Sequence, residues 1–560
     1  MPYRGGMGLT VQAEVSRSDP LGTPTRDRRW ATLAVLCVSL LVVSLDNTIL
    51  NVALPAIVRD LDASSTQLQW IVDAYAIVLA GLLLSLGSLG DRIGRKRVFV
   101  MGLALFAMGS AASAFSGSPD TLIASRAFMG IGGAAIMPST LSILTNVFDS
   151  ERKRARAIGI WSGTTGIGVS LGPIVGGWLL AHFWWGSVFL VNVPIAVLGL
   201  VASLWLVPDS KNPRSRRPDP MGVVFSVLGM WLLLWGIIEA PNRTWSSPLI
   251  LGALVGGIVM LASFIAWELH SSHPMLDLSF FSSRRFSAAI GSMSLVMFSL
   301  FGGLFLLTQY LQFSLGYSAF QAGLRVAPTA LTILVVAPVS SLLVRWLGTK
   351  VVVVVGMSAI AVGFGMLSRI TVHGIYTDAL AALFLLGFGT GLALAPLIES
   401  VMGSLPLERT GVGSATNSST LQLGGALGVG VLGSLLATRY HGVLHPVLVH
   451  QVIPRSALSL INGSLGGALA VAAHVGGVRG AALAALARRA FVSGANLAVT
   501  AGAVVAATGG LIALVVLPSR PPAQVPDPAG SPGQPSGSDE PARSEGLPSI
   551  NPDASKSPGS

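Results

Sequence analysis

Residues 69–97 read QWIVDAYAIVLAGLLLSLGSLGDRIGRKR and decide the fold class of this chain. The first part is an apolar run of roughly 20 residues, long enough to cross a bilayer as a helix. The run contains one carboxylate, Asp73, and ends in a glycine-punctuated basic turn from Gly87 to Arg97. The turn has the excess of lysine and arginine that is typical of loops on the cytoplasmic side of a membrane.

The composition of the whole chain agrees with a membrane protein. Its 560 residues are 52% hydrophobic and only 11% charged, whereas soluble proteins carry about 25% charged residues. The mean hydropathy is +0.71. The net charge of +11 does not indicate nucleic-acid binding, because most basic residues lie in alternate loops, as the positive-inside rule describes. The chain has one cysteine, Cys37, which lies in an apolar run. Because a disulfide framework or a thiol metal site needs more than one cysteine, neither is predicted.

The apolar runs predict an all-α polytopic membrane protein with fourteen transmembrane helices and both termini in the cytoplasm. Two spans separate two sets of six, a six-plus-two-plus-six plan. The predicted segments are a disordered N-terminal segment over 1–29, a six-helix bundle over 30–208, a linker with two inserted helices over 209–285, a second six-helix bundle over 286–517, and a disordered tail over 518–560. The second bundle includes an outer loop over 441–488, for which a surface hairpin is one interpretation and a further span is not predicted.

Three ionisable residues inside the first predicted bundle are the leading functional candidates, because charges in a bilayer are costly. Asp46 lies about nine residues from the outer end predicted near Pro55, roughly 13 Å deep at 1.5 Å per residue. Asp73 lies about five residues inside the second span and is expected to be partly hydrated, and Arg126 lies about six residues inside the fourth. Their similar depths predict that the two acids and the arginine share a cavity wall. Alternatively, Arg126 neutralises an acid and pins two helices.

A carboxylate in a low-dielectric cavity can take up a proton from one side of the membrane and release it on the other. A cationic substrate competes with the proton for the same group, which is the logic of antiport. Glu239 and Glu399 are weaker candidates, because they lie near helix ends, where long side chains reach the interface.

The turn at Gly87–Arg97 resembles the G-x-L-x-D-R-x-G-R-K/R loop between the second and third helices of major facilitator superfamily transporters. The resemblance implies that Gly87, Asp91, Arg92, Gly94 and Arg95 form an inner latch, with Asp91 paired to a cation on a neighbouring helix. A generic basic loop is the alternative, which needs neither the aspartate nor the spaced glycines.

The fifth predicted span carries a second motif. Gly168, Gly172 and Gly176 repeat every four residues and form one bare stripe, which lets another helix pack closely. Pro173 breaks a helical hydrogen bond and allows a kink. With Gly177 these residues resemble the G-x-x-x-G-P-x-x-G-G motif of the superfamily's antiporters, which implies export. On packing grounds alone, any tight helix crossing would fit.

Further stretches resemble the fourteen-helix drug:proton antiporter branch, over roughly residues 30–517. The W-x-x-D-x-Y pattern of Trp70, Asp73 and Tyr75 is similar to that of pumps for quaternary ammonium compounds and dyes. The resemblance makes Trp70 and Tyr75 candidates for cation–π contacts, with interface anchoring as the alternative. Other matches are Leu45–Pro55, Arg126–Gly130 with Met129 in place of a frequent glutamine, Phe189–Pro194, Pro274–Leu278 and Thr308–Gln312. Gln312 is a weaker site candidate.

These features predict a proton-coupled antiporter of the bacterial cytoplasmic membrane that exports lipophilic cationic drugs, dyes or antiseptics by alternating access. Asp46 and Asp73 would bind proton and substrate, and Arg126 would tune them. The expected partners are small molecules and membrane lipid but no nucleic acid, and the expected functional unit is a monomer. The sequence shows no catalytic constellation, metal-ligand spacing or Walker-type loop, so neither an enzyme nor a cofactor beyond the coupling proton is predicted. Alternatives are a dedicated exporter of one metabolite or self-made antibiotic, a proton-coupled uptake symporter, and a membrane sensor or intramembrane enzyme.

Overall fold

The structure is a computed structural model that describes residues 26–148, 150–211, 219–271, 274–372, 374–404, 410–451 and 453–518. Within these ranges the chain is helical and contains no strand. Most of the segments predicted to be disordered, before residue 26 and after residue 518, lie outside the described residues. The same holds for most of the basic link, at 212–218.

Sixteen α-helices follow one another along the described chain. In order they are α1 (Arg26–Leu61), α2 (Ser65–Ile93), α3 (Arg95–Ala114), α4 (Pro119–Val147), α5 (Glu151–His182), α6 (Ser187–Leu190), α7 (Asn192–Leu206), α8 (Pro220–Arg243), α9 (Pro248–His270), α10 (Arg284–Gln309), α11 (Ala319–Leu367), α12 (Tyr376–Met402), α13 (Thr410–Leu448), α14 (Arg455–Gly463), α15 (Leu465–Val475) and α16 (Gly477–Val516). A π-helical turn, Tyr310–Ser314, continues α10.

Thirteen helical segments of the described chain are long and apolar enough to cross a membrane. One of them, α11, has 49 residues, about 73 Å of helix, whereas the hydrocarbon core is roughly 30 Å thick. Its backbone leaves the helical region at Gly348, where φ is 81° and ψ is 156°. This element is therefore two spans joined at a sharp turn, which confirms the predicted fourteen.

The helices pack in two sets with a pair between them. In the first set α2 packs on α4, α3 on α4, and α1 on α5; in the second, α11 packs on α12 and α10 on α13. The intervening helices α8 and α9 pack on each other, and α8 also contacts α2 and α13. This grouping supports the predicted six-plus-two-plus-six division, whose boundaries remain a prediction.

Several helices extend beyond their predicted ends. The first helix begins at Arg26, inside the segment predicted to be disordered, because an established helix propagates easily through flanking residues. It also continues past Pro55 to Leu61, since the proline removes only one backbone donor and its neighbours hold the helix in place. Asp46 therefore lies about 22 Å along the helix from its outer end instead of 13 Å.

The outer loop contains α14 and α15, which have nine and eleven residues and are too short to cross a membrane. Gly466 of α15 packs against Val58 of α1 and against Phe313 in the π-helical turn. The hydroxyl of Tyr440 donates to the carbonyl of Ile461 in α14 at 2.9 Å. The short helices thus lie over the outer ends of both bundles.

The two bundles touch at one end and separate at the other; we take as inner the end that carries the basic turn. Gly159, Gly163, Gly166, Ser170 and Gly177 share one face of α5, because they are three, four or seven residues apart. At the outer end a Cβ added at Gly177 would lie 2.9 Å from a backbone oxygen of α11, whereas at Gly159 or Gly163 it would meet no atom within 4 Å. A cleft between α5 and α11 therefore opens towards the inner side.

Candidate functional site

Asp46 and Arg126 form a buried ion pair between α1 and α4. Nη1 of Arg126 donates to Oδ2 of Asp46 at 2.6 Å, and the two side chains are 1% and 0% exposed. Nε of Arg126 donates to the carbonyl of Ile71 in α2 at 3.1 Å. The pair therefore ties three helices of the first bundle together, the arrangement given above as the structural alternative for Arg126.

Further side chains surround this pair, and Nη1 of Arg126 also lies 3.5 Å from Sδ of Met129. Nδ2 of Asn192, at the start of α7, donates to Oδ1 of Asp46 at 3.1 Å. The guanidinium carbon of Arg126 lies 4.3 Å from the ring centroid of Tyr75 and 5.7 Å from that of Phe189. Tyr75, one of the two predicted cation–π candidates, is therefore already in contact with a cation of the protein, Arg126.

Asn192 was not among the predicted site residues, although its stretch matched the family pattern. An amide at the start of an otherwise apolar helix is the signal that would have found it.

Asp73 lies apart from the ion pair. No hydrogen bond or ion pair joins it to Asp46 or Arg126, and neither carboxylate oxygen has a hydrogen-bond partner among the described residues. A Cβ added at Gly430 of α13 would lie 3.4 Å from its Oδ2. The side chain is 0% exposed, so the predicted partial hydration is wrong. The predicted shared wall is also absent, because α13 and α8 cover this face of α2.

Gln69 lies one helical turn from Asp73 and faces the same helix, α13. A Cβ added at Gly433 would lie 2.7 Å from Cδ of Gln69, and both polar atoms of this amide lack partners in the described part of the chain. We call Gln69 and Asp73 on α2, with Gly430 and Gly433 on α13, the α2–α13 seam. The spacing of four residues predicts that the two polar side chains share a face, but no sequence signal pairs them with these glycines.

Trp70 points away from the seam. Its ring centroid lies 6.4 Å from that of Trp231 in α8. Both rings line a groove of about 580 Å³ between α2, α4 and α8. The second predicted cation–π candidate therefore lies at a different surface from Tyr75.

The residues of the predicted inner latch make contacts within the first bundle, and their role as a latch stays a prediction. Nε of Arg95 lies 2.6 Å from Oδ1 of Asp91, and its Nη1 donates to the carbonyl of Ser142 in α4 at 3.1 Å. The aspartate thus pairs with the helix that directly follows the turn. Gly94 has a φ of 125°, a backbone conformation that favours glycine. A Cβ added at Gly87 would lie 3.2 Å from Pro138 of α4, and Arg92 is exposed.

The glycine motif of α5 packs against two different helices. A Cβ added at Gly168 would lie 2.6 Å from Ser44, and one at Gly176 would lie 2.6 Å from Ile49, both in α1. Gly172, between them, faces Thr48 of α1. On the other side of the same helix, Gly177 meets Ala319 and Phe320 of α11, and the carbonyl of Pro173 lies against Gly323. The motif therefore connects the helix that carries Asp46 to the second bundle.

The weaker candidates lie elsewhere. Nε2 of Gln312 donates to the carbonyl of Val52 at 3.0 Å, a buried hydrogen bond between the two bundles. Glu239 lies 4.0 Å from an arginine one turn on, at the outer end of α8. Glu399 accepts a hydrogen bond from Ser341 at 2.8 Å. Among the described residues no group of three or more His, Cys, Asp or Glu side chains could hold a metal ion.

Comparison with known proteins agrees with this architecture. The chain is 37% identical to the multidrug efflux pump LfrA of Mycolicibacterium smegmatis, over 84% of this chain and 93% of the relative. It is 34% identical to the tetracenomycin C resistance and export protein of Streptomyces glaucescens, over 91% and 96%. It is 32% identical to the methyl viologen resistance protein SmvA of Salmonella typhimurium, over 83% and 93%.

The fold is similar to that of a bacterial homologue of the human lysosomal transporter Spinster, in an inward-facing and unoccupied conformation. The TM-score is 0.62 at 17% sequence identity, and the match covers 88% of this chain and 98% of that one. A family model described as Major Facilitator Superfamily matches residues 36–429. The chain therefore belongs to the Major Facilitator Superfamily and is a multi-pass transporter of the bacterial cytoplasmic membrane rather than an enzyme.

Proposed function

We propose that this protein is a proton-coupled antiporter that exports lipophilic cationic drugs by alternating access of its two bundles. The observation that carries the proposal is Asp73, a fully buried carboxyl group where α2 meets α13, with no hydrogen-bond partner among the described residues. Two relatives support the substrate class by name, one as a multidrug efflux pump and one as a resistance protein for methyl viologen, a dication.

The burial of Asp73 couples its charge to the arrangement of the bundles. An isolated ionised carboxylate is very costly to bury, whereas a neutral carboxyl is tolerated far better. The closed α2–α13 seam therefore suits a protonated Asp73, and loss of the proton favours an arrangement in which water or a cation reaches the group. A proton and a cationic drug then compete for one carboxylate, and each favours a different arrangement, as antiport requires.

The Asp46–Arg126 pair has a second role in the proposal. In the present arrangement the arginine neutralises the aspartate and holds α1 to α4 and α2. Proton transfer to Asp46 would weaken its bond to Arg126 and loosen α1 from α4. We therefore assign Asp46 as a second proton site, with Arg126 as its counter-charge.

Ethidium movement into proteoliposomes under an imposed proton gradient tests this mechanism. We expect gradient-driven transport to be lost in Asp46→Asn, and to be lost selectively for cationic substrates in Asp73→Asn. Asp60→Asn is the matched control, because Asp60 is an exposed aspartate at the outer end of the same helix as Asp46. Wild-type transport in both Asp46→Asn and Asp73→Asn would refute the two-carboxylate mechanism.

A dedicated exporter of one natural product is the second candidate. It is favoured by the relative that exports tetracenomycin C, which the chain matches over 96% of that protein's length. A transport panel separates the two functions. Movement of several unrelated lipophilic cations supports the multidrug proposal, whereas movement of a single compound such as tetracenomycin C and no cation supports the dedicated exporter.

A further inference from the structure

A groove of about 580 Å³ runs along the side of the first bundle, between α2, α4 and the inserted helix α8. This volume lies within the range of small-molecule binding sites. The α2 wall extends from Trp70 to Leu82, about 18 Å of helix. Along α8 the groove residues Val224, Leu228 and Trp231 are 51%, 38% and 43% exposed. The groove is therefore accessible from the bilayer side of the molecule.

We propose that this groove binds lipophilic aromatic cations that arrive from the bilayer, before they reach Asp73. The inference rests on the proposed export function and deepens it. Two tryptophan rings of the groove lining, Trp70 and Trp231, lie next to each other with centroids 6.4 Å apart and planes inclined at 41°, and tryptophan is the best cation–π partner.

The charges around the groove match a cation. Among the described residues that line the groove, Asp120 is the only ionisable one and none is basic. Asp73 lies on the same helix as Trp70, one turn further on. A lipid acyl chain would use the apolar lining but would gain nothing from the two indole rings or the Asp120 carboxylate.

A thin apolar partition separates the groove from Asp73. Trp70 and Ile77 of α2 pack with Leu234 and Ile238 of α8 in one buried cluster. A Cβ added at Gly430 would lie 2.9 Å from Leu234 and 3.4 Å from the Asp73 carboxylate. Leu234 therefore stands beside the carboxyl group on the groove side.

The inserted helix α8 is bound to both bundles and therefore responds to their motion. Nδ2 of Asn242 donates to Thr66 of α2 at 2.9 Å, and Ser434 of α13 donates to the carbonyl of Ile237 at 2.6 Å. When the bundles rearrange, α8 must shift relative to at least one of them. A shift away from α2 would move Leu234 and open a path from the groove to the carboxyl group. This assigns the inserted pair a role in substrate access.

Photolabelling of the full chain with ethidium monoazide, in phosphatidylcholine nanodiscs, tests the proposal. Val224→Trp fills the groove, and Val255→Trp is its matched control, because Val255 is a similarly exposed valine of α9 that does not line the groove. We expect label in the α2, α4 and α8 residues that line the groove, with competition by tetraphenylphosphonium. Labelling should fall about fivefold or more in Val224→Trp and stay unchanged in Val255→Trp.

A second pair of variants tests the aromatic contact. Trp231→Leu keeps an apolar side chain but removes the π surface, and Trp205→Leu is the control at an exposed tryptophan of α7. We expect ethidium labelling to fall about fivefold in Trp231→Leu only. Labelling by a photoreactive fatty acid, which carries no positive charge, should be equal in both variants.

Two results would overturn the groove proposal. One is equal ethidium labelling in Val224→Trp and Val255→Trp. The other is competition by the fatty acid without competition by tetraphenylphosphonium, which would identify a lipid site. Ethidium transport by the wild type is measured separately. Groove labelling without transport refutes the export function alone, and transport without groove labelling refutes the groove alone.

Discussion

Replacing Asp46 by asparagine would leave Arg126 charged, buried and without its counter-ion. The guanidinium would keep the Ile71 carbonyl at 3.1 Å and the Tyr75 ring at 4.3 Å, but would lose the carboxylate at 2.6 Å. Two unit charges about 4 Å apart attract by about 4 kcal/mol at an effective dielectric constant of 20. Breaking a buried pair by removing one partner costs about 3–5 kcal/mol. We therefore expect Asp46→Asn to lower the free energy of unfolding by about 3–5 kcal/mol.

A double-mutant cycle isolates the ion pair from other effects of the substitution. Arg126→Met removes the charge but keeps a long flexible side chain. It leaves Asp46 with the Asn192 amide as its one hydrogen-bond partner among the described residues. We expect Arg126→Met to lower the free energy of unfolding by a similar amount. The double variant Asp46→Asn/Arg126→Met should lose less than the sum of the single losses, with a coupling energy of about 2–3 kcal/mol.

The assay is reversible unfolding by sodium dodecyl sulfate in mixed micelles, followed by far-ultraviolet circular dichroism. Asp60→Asn, at an exposed position of α1, should change the free energy of unfolding by no more than about 0.5 kcal/mol. Two results would contradict this prediction. One is a decrease of less than about 1 kcal/mol in the free energy of unfolding of either single variant. The other is a decrease in the double variant that equals the sum of the two single decreases.

Three other substitutions have outcomes that follow from local geometry. Gly172→Leu should lower the free energy of unfolding by about 1–3 kcal/mol by separating α5 from α1, whereas Gly163→Leu, in the open cleft, should be nearly neutral in the same unfolding assay. Gln312→Leu removes a hydrogen bond between the bundles and should raise the population of the arrangement that is open at the outer side about fivefold. Double electron–electron resonance between spin labels on the outer ends of α1 and α13 measures this population. Gly94→Ala should lower the free energy of unfolding by about 1–3 kcal/mol, because Gly94 has a positive φ. Gly117→Ala is the control and should unfold as the wild type does, because a Cβ added there meets no atom within 4 Å.

The membrane-spanning plan was predictable because the length of an apolar run is a local property of the sequence. Fourteen runs predicted fourteen spans, and only the turn at Gly348 was needed to divide the longest helix. Helix ends were less predictable. Pro55 was interpreted as the end of the first span, but the helix continues to Leu61, since packing around a span can tolerate one missing backbone donor.

The candidate site was predictable in its residue types but not in its pairing. Charged side chains are rare inside spans, so Asp46, Asp73 and Arg126 could be selected from the sequence. Their similar depths suggested one shared cavity wall. Depth measures position along the membrane normal only, and it does not indicate which side of a helix a residue occupies or which helix covers it.

Three properties of this protein follow from local sequence alone: the fourteen membrane spans, the basic turn, and the polar residues inside the spans. Each of these properties depends on neighbouring residues, through hydrophobicity and helical spacing. The packing of whole helices was needed to reveal that Arg126 contacts Asp46 across 80 residues of chain. It was also needed to reveal that Asp73 lies beside Gly430 of the other bundle, with no hydrogen-bond partner in the described part of the chain. Such contacts depend on how whole helices rotate and pack against one another, because burial and charge pairing are set by the helices that cover a residue and not by its neighbours in sequence.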